Sequence, residues 1–448
     1  MEIRKFFRTI GLDSALFFTL LFRGLQAVGT IFTIFFIATF LNKEEQGYYY
    51  TFGSILAIQV FFELGITAII TQFVAHEMGS ISLYNYDIKV DTKAGSRLSS
   101  LLKFCVKWFF CISLLLFVTL IIVGFFFFNN FSNAQSIDWH IPWIILCLST
   151  VINLFYTPIL AFIEGLGFVA TSSKIRAIQQ LIVIFASILL LFSGMGLYAN
   201  PFALLISAFV PPSFILFSKL NPMLLKVWRN KIIHKVDYIR EIFPLQWKIA
   251  LSWASGYFIY QLFNPIIFAT EGAVIAGKVG ISLAFINGIL TISLSWMNIR
   301  IPQFSKLIAQ SKFYELDVVF KKNFMLANIF SFTGLLVAIL FIAYLNYYNM
   351  EIENRFLSFI PFSILAISAF VNQFIGGLAI YLRCHKKEPL LIYSLAIAIV
   401  TASFFLILGK KGGLMGVVWS YFFITFFISL PWVVYTFISK RKLWHKAC

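Results

Sequence analysis

Two charged side chains sit inside stretches where charge is costly. Glu63 lies in the apolar run QVFFELGITAII, residues 59–70. The surrounding segment, 48–75, is long enough to cross a bilayer, and a charge at the centre of such a helix costs roughly 2.5–3.5 kcal/mol on insertion scales. Within that span Glu63 lies about 18 Å from the inner end by helical rise. No carboxylate snorkels so far, so it must face a wet cavity, hold a proton or pair with a cation. Arg23, on the preceding span, lies about 8 Å nearer the inner side. Its planar fork suits bidentate contact with carboxylate or phosphate oxygens, and its long stem also permits snorkelling. The spacing suggests that Arg23 pairs with Glu63, which makes Glu63 the candidate for coupling to a proton or metal ion.

Mid-span amides form the second set: Gln26, Gln59, Asn153, Gln261, Asn264, Asn287, Asn372 and Gln373. Each offers donors and acceptors, and can either line a polar cavity or bond between helices. Lys107 is about four residues into its span and snorkels readily. Glu164, in IEGLG, reads as a capping or loop residue. Catalytic signatures are missing: there is no HExxH, no CxxC pair and no P-loop, and the five histidines lack metal-ligand spacing. GKKGGLMG (409–416) lacks the GK[ST] ending and reads as a turn. The expectation is a protein that is not an enzyme, with no catalytic residues, no cofactor and no metal site.

The elements that must hold these residues follow from composition. Of 448 residues, 60% are hydrophobic and only 12% charged, with a mean hydropathy of +0.90. That is the composition of a bundle of membrane-spanning helices. The 55 phenylalanines are expected mainly at lipid-facing surfaces and in helix packing. Twelve spans are legible, at about 16–41, 48–75, 104–128, 142–164, 174–193, 200–220, 249–270, 277–301, 324–349, 357–381, 390–408 and 415–438, within about 2–4 residues. Pro158, Pro265 and the pair Pro211-Pro212 should bend or break theirs.

Lys and Arg alternate by loop. With basic residues within two positions of a span end counted with the adjoining loop, one side holds 28 and the other five (Lys43, Lys278, Arg355, Lys410, Lys411), while Arg23 and Lys107 lie deeper inside spans, which accounts for all 35. The bias places both termini in the cytoplasm. The +17 formal charge is therefore a topology signal, and no nucleic-acid partner is expected. No cysteine falls on the outer side, so structural disulfides are not expected. Residues 1–14 read as an amphipathic lead-in at the interface, not a cleaved signal.

The chain also divides. Gln72-Phe73 ends the second span and Gln303-Phe304 the eighth, 56 and 54 residues after their respective hairpins begin. This is a faint parallel six-plus-six repeat. It gives an N-terminal lobe over 1–222, a basic cytoplasmic linker helix over 223–248 and a C-terminal lobe over 249–448.

LNKEEQGYYYTFGSILAIQVFFELG...QFVAHE (41–77) resembles the first hairpin of bacterial polysaccharide flippases. YLRCHKKEPLL (381–391) is similar to a loop in their second half. These proteins form the O-antigen flippase branch of the multidrug/oligosaccharidyl-lipid/polysaccharide (MOP) exporter superfamily. The resemblance implies an all-α polytopic fold of two six-helix lobes around a central cavity. It also implies alternating-access transport of undecaprenyl-pyrophosphate-linked oligosaccharide across a bacterial inner membrane, serving lipopolysaccharide O-antigen or similar polysaccharide biosynthesis. The partners implied are the lipid-linked substrate, the bilayer and other polysaccharide-assembly membrane proteins. Under that reading Arg23 meets pyrophosphate, and Gln26, Gln59, Asn153, Asn264, Asn287 and Asn372 meet sugar. Two alternatives stand beside it: an ion-coupled multidrug exporter of the same fold, and a membrane polysaccharide polymerase. The polymerase would want a larger outer loop than the longest here, 129–141.

Overall fold

The computed structural model describes residues 14–63, 65–79, 81, 83–84, 87–88, 93–132, 137–385 and 387–446. The expected lead-in, apart from Ser14, and the terminal Cys448 lie outside them. A chain crossing a bilayer must satisfy its own backbone N–H and C=O groups, and helices do so within one segment. The first half holds α1 (Ser14–Phe40), α2 (Lys43–Leu56), α3 (Ile66–Met78), α4 (Lys93–Phe131), α5 (His140–Gly165), α6 (Val169–Phe192), α7 (Ala199–Ala208), α8 (Val210–Phe217) and α9 (Leu220–Arg229). The second holds α10 (Phe243–Tyr260), α11 (Phe263–Glu271), α12 (Ala273–Asn298), α13 (Ile301–Ala309), α14 (Phe313–Tyr347), α15 (Phe359–Cys384), α16 (Leu391–Phe423) and α17 (Leu430–Lys446). Among the described residues the strands are a minimal antiparallel hairpin, β1 (Leu83–Tyr84) with β2 (Asp87–Ile88).

Among the described residues helices cover all twelve expected spans, each span a rod. Eight described segments are by length and hydropathy sufficient to cross a membrane, and the last, Leu391–His445, runs through two rods in 55 residues. Several rods are broken, and the breaks have causes. Gly65, at φ +62, separates α3 from the short helical turn Val60–Glu63. Pro211 and Pro212 open α8 where α7 ends, and Pro265 sits in the first turn of α11. Pro158 lies within α5, which runs on past it. Gly413, at φ +51 and ψ −139, reverses the chain inside α16: a Cβ on Gly416 would lie 2.3 Å from the Leu408 carbonyl oxygen, a contact eight residues of straight helix cannot make. GKKGGLMG is that reversal.

Contacts divide the chain into two compact units. The first comprises 1–36, 58–130 and 138–250; the second comprises 37–57, 131–137 and 251–448. In the first, Phe109, Leu116, Phe128, Trp143 and Phe162 are fully enclosed. Gly124 makes room for the Trp143 indole, whose Nε1 donates to the Leu120 carbonyl at 3.2 Å. In the second, Phe304, Phe320, Tyr381 and Leu382 belong to an extended apolar cluster. Phenylalanine serves both uses foreseen for it: Phe126 and Phe185 are exposed on rods whose other faces bury Phe128 and Ser187.

Sequence order alone puts α2 with the first half, yet its contacts place it in the second unit. Gly47 is the reason, since a Cβ there would lie 1.9 Å from the Ala273 carbonyl oxygen. The bare backbone lets α2 press against α12. Gln46, buried beside it, donates from Nε2 to the carbonyls of Gly277 (2.8 Å) and Arg355 (3.1 Å). Asn42 and Glu45 close a reciprocal capping box at the start of α2.

The 223–248 segment is helical only in part. α9 carries Lys226 and Arg229 in its last turn, after which Asn230 turns extended. The stretch that follows gives its N–H groups to α4: Ile233 and His234 both donate to Ser96 Oγ, at 2.8 and 2.9 Å. Arg97, one residue on, donates to Glu77 Oε1 at 2.8 Å and also pairs with Glu241. The bond from Arg97 holds the Glu241 carboxyl below its ordinary range. A carboxylate with a depressed folded-state pKa stabilises above its unfolded value, about 4.3, and loses that contribution as pH falls through the folded value. Hydrogen-exchange protection of residues 233–237 is therefore expected to hold at neutral pH and to weaken below about pH 4. Glu241→Gln should weaken it at neutral pH.

Candidate functional site

A cavity of about 310 Å³ lies within the second unit. Its wall takes Tyr50 and Ser54 from α2, Asn287 from α12 and Tyr421 from the second arm of α16. The junction of α10 and α11 supplies Tyr260, Gln261 and Asn264. That junction is where rod seven breaks before Pro265, so two amides meet the cavity within four residues. Small residues hold the space open: Gly53, Gly280, Ala284 and Ala369 also line it. Gly280 is required by Tyr50 itself, because a Cβ there would lie 2.2 Å from Tyr50 Cβ.

The polar groups of this wall are unevenly satisfied. Asn264 is buried at 4% exposure, and its Oδ1 has no hydrogen-bond partner. Tyr50 Oη is likewise enclosed without one. An unpaired buried polar atom costs about 1–3 kcal/mol, and both atoms are sealed from solvent in this conformation, so a partner reaches them only if the wall shifts. Tyr421, by contrast, is held in place. Asn372 donates from Nδ2 to Tyr421 Oη at 3.0 Å, and also lies 3.3 Å from Thr425 Oγ1 and 3.1 Å from the Ser368 carbonyl. Among the described residues no Asp, Glu, Lys or Arg lines the cavity. Its chemistry is that of neutral hydrogen bonding between aromatic rings.

The charged residues lie in the first unit. Glu63 ends the short turn before Gly65, and its Oε1 accepts from the Thr67 hydroxyl at 3.1 Å. Arg176, in the third turn of α6, exerts a weaker pull on it from beyond ion-pair distance. Arg176 Nη1 also lies 2.8 Å from Glu164 Oε1, which accepts from the Ser172 hydroxyl at 2.9 Å. Two carboxylates thus share the field of one guanidinium.

The predicted residues fall into three groups. Asn264 and Asn287 line the cavity with Gln261, and Asn372 stands one bond behind it. Asn153 instead bridges helices: its Oδ1 accepts from Gln179 Nε2 at 3.0 Å, and Gln179 reaches on to the Ser207 carbonyl at 3.3 Å. Arg23, Gln26, Gln59 and Glu63 belong to the first unit and are not in that wall. The expected Arg23–Glu63 pair does not form. Arg23 is exposed and has no ion-pair partner among the described residues, while Glu63 takes a bond from Thr67 and Arg176 acts on it only from beyond ion-pair distance. Glu164 is an ion-pair residue rather than a loop cap.

Arg176 escapes a sequence reading because, as the third residue of the expected span 174–193, it counts with the basic residues of the adjoining inner loop. The turn at Gly165–Gly167 starts α6 five residues earlier, which brings Arg176 inside the helix. Tyr50, Tyr260 and Tyr421 were missed too, since nothing in their spacing separates them from the other tyrosines of the chain.

The sequence matches no protein-family model and no curated protein. Solved structures do match. A multidrug resistance MATE family transporter of the MOP superfamily, in an inward-facing conformation, aligns with TM-score 0.67 at 12% identity over 93% of this chain and 96% of its own. An outward-facing structure of such a transporter gives 0.56 at 14% identity over 96% of both chains. A MOP superfamily transporter from Pyrococcus furiosus Vc1, described as having a binding pocket of reverse polarity that suggests a different function, gives 0.58 at 15% over 96% of both. The chain is an all-helical, multi-pass membrane protein with the two-lobed fold of MATE transporters of the MOP superfamily.

Proposed function

We propose that this protein is an inner-membrane flippase that carries an undecaprenyl-pyrophosphate-linked oligosaccharide, an O-antigen or similar repeat unit, from the cytoplasmic to the outer leaflet by alternating access. The observation that carries the reading is the second-unit cavity: neutral, walled by amides and phenols, with Asn264 Oδ1 and Tyr50 Oη unpaired. Sugar hydroxyls both donate and accept, and amides answer them in both senses. Aromatic rings flanking the same space present flat apolar faces to the carbon skeleton of a sugar ring. Support also comes from the 41–77 resemblance and from the fold. Arg23, exposed within α1, is the cation assigned to the pyrophosphate.

A second reading is an ion-coupled multidrug exporter, favoured by the multidrug MATE structures sharing this fold. The reverse-polarity relative is a reminder that one fold serves several cargoes. Deleting the gene separates the readings. Undecaprenyl-linked oligosaccharide accumulating on the cytoplasmic side supports the flippase; an unchanged lipid pool with altered drug sensitivity supports the exporter. Arg23→Gln is expected to lower surface polysaccharide at unchanged protein level, with Arg23→Lys rescuing only in part. Normal export by Arg23→Gln would assign Arg23 to snorkelling.

A further inference from the structure

The outer side, as the loop charges assign it, carries only five basic residues, and two of them adjoin at the chain reversal in α16. Lys410 and Lys411 are both exposed and have no ion-pair partner among the described residues. Gly412, the next residue, opens an apolar groove of about 550 Å³ between the two arms of that reversal. Counting from Gly413, the groove descends to Phe404 on one arm and Ile428 on the other, about 13 and 22 Å by helical rise. Half of a hydrocarbon core about 30 Å thick is comparable. One wall is a ladder of rings: Trp419 stacks on Phe423 at 5.6 Å and Phe423 on Phe427 at 5.8 Å. Among the described residues Ser420 is the one hydroxyl in the groove, and it is spent on the Gly416 carbonyl. Glu271 is the acidic residue at this turn. Its carboxylate already accepts from the Leu414 N–H, capping the second arm. Two lysine charges thus face one carboxylate in use.

From this juxtaposition we propose that the α16 reversal is a binding site for an anionic phospholipid of that leaflet. The hydrocarbon chain lies in the groove, and Lys410 and Lys411 meet the phosphate. Each lysine near an anionic headgroup is expected to favour it by about five-fold. A membrane protein keeps basic residues off its outer side by default, so a pair there next to a leaflet-deep groove is matched by a ligand of opposite charge.

The test uses the full chain in nanodiscs holding equal phosphatidylglycerol and phosphatidylcholine, with the lipids retained after detergent exchange counted by native mass spectrometry. Phosphatidylglycerol should be retained at least five-fold over phosphatidylcholine. Lys410→Gln with Lys411→Gln should bring that ratio near one. Gly412→Leu should abolish retention of both lipids; a Cβ at Gly412 meets nothing within 4 Å, so the added side chain enters open space without displacing a neighbour. Equal retention of the two lipids by the unaltered chain overturns the proposal. So does retention that falls with Gly412→Leu but ignores the lysines, since that is capture of hydrocarbon alone. Unfolding is read separately, by monodisperse elution of each variant.

Discussion

Asn264→Leu combined with Tyr50→Phe is expected to raise thermal stability in detergent while cutting export of surface polysaccharide about ten-fold or more. The two effects have one source. Both substitutions remove a buried polar atom that has no hydrogen-bond partner, Asn264 Oδ1 and Tyr50 Oη, and keep side-chain shape nearly constant. Relieving an unsatisfied buried group returns about 1–3 kcal/mol to the fold. Both residues line the cavity, and once its wall shifts to admit a sugar their polar atoms would meet its hydroxyls; each lost hydrogen bond is worth about 0.5–1.5 kcal/mol of binding, so two of them reach an order of magnitude. Protein level by immunoblot and export by surface labelling separate the effects. A double variant that exports at the unaltered rate would remove the cavity from the transport path. One that is less stable would show that unseen partners satisfy these atoms.

Much of this fold could be read from residues alone, because a bilayer imposes its requirements on every span. Apolar runs with basic residues alternating by loop marked the rods, and Pro211-Pro212 and Pro265 marked two of their breaks. The assignment of α2 was not legible. It depends on Gly47 and Gly280, two ordinary glycines in sequence whose missing side chains matter only once Ala273 and Tyr50 are seen against them. Position within a span predicted which amides were costly to bury but not what each would face. Asn264 and Asn153 look alike in a helical register, yet one ends in a cavity and the other on Gln179. The Arg23–Glu63 pairing erred for a related reason: axial height along two neighbouring helices was used, and rotation about their axes was unknown. Height fixes depth in the membrane; rotation decides contact.

The second large effect is expected at Arg176. Arg176→Gln leaves Glu164 with only the Ser172 hydroxyl, and leaves Glu63 with only Thr67. Stripping one partner from an enclosed ion pair costs about 3 kcal/mol, enough to lower the yield of folded protein several-fold. Glu164 lies at 18% side-chain exposure and Arg176 at 34%, so water screens part of the pair and the low end of the usual cost applies. Arg176→Gln with Glu164→Gln removes both charges and should restore folded yield. Glu63 then keeps the bond from Thr67 and loses the pull of Arg176. If Glu63 is the coupling residue, this folded double variant should transport poorly and change its dependence on an imposed proton or sodium gradient, as Glu63→Gln should. Fluorescence-detected yield reports the fold, and transport in vesicles at a series of gradients reports the coupling. Normal transport by the double variant and by Glu63→Gln at every gradient would make the three residues a structural network. Coupling would then have to be sought among other polar groups of the spans, because Arg176 would have served only to hold α5 and α6 together.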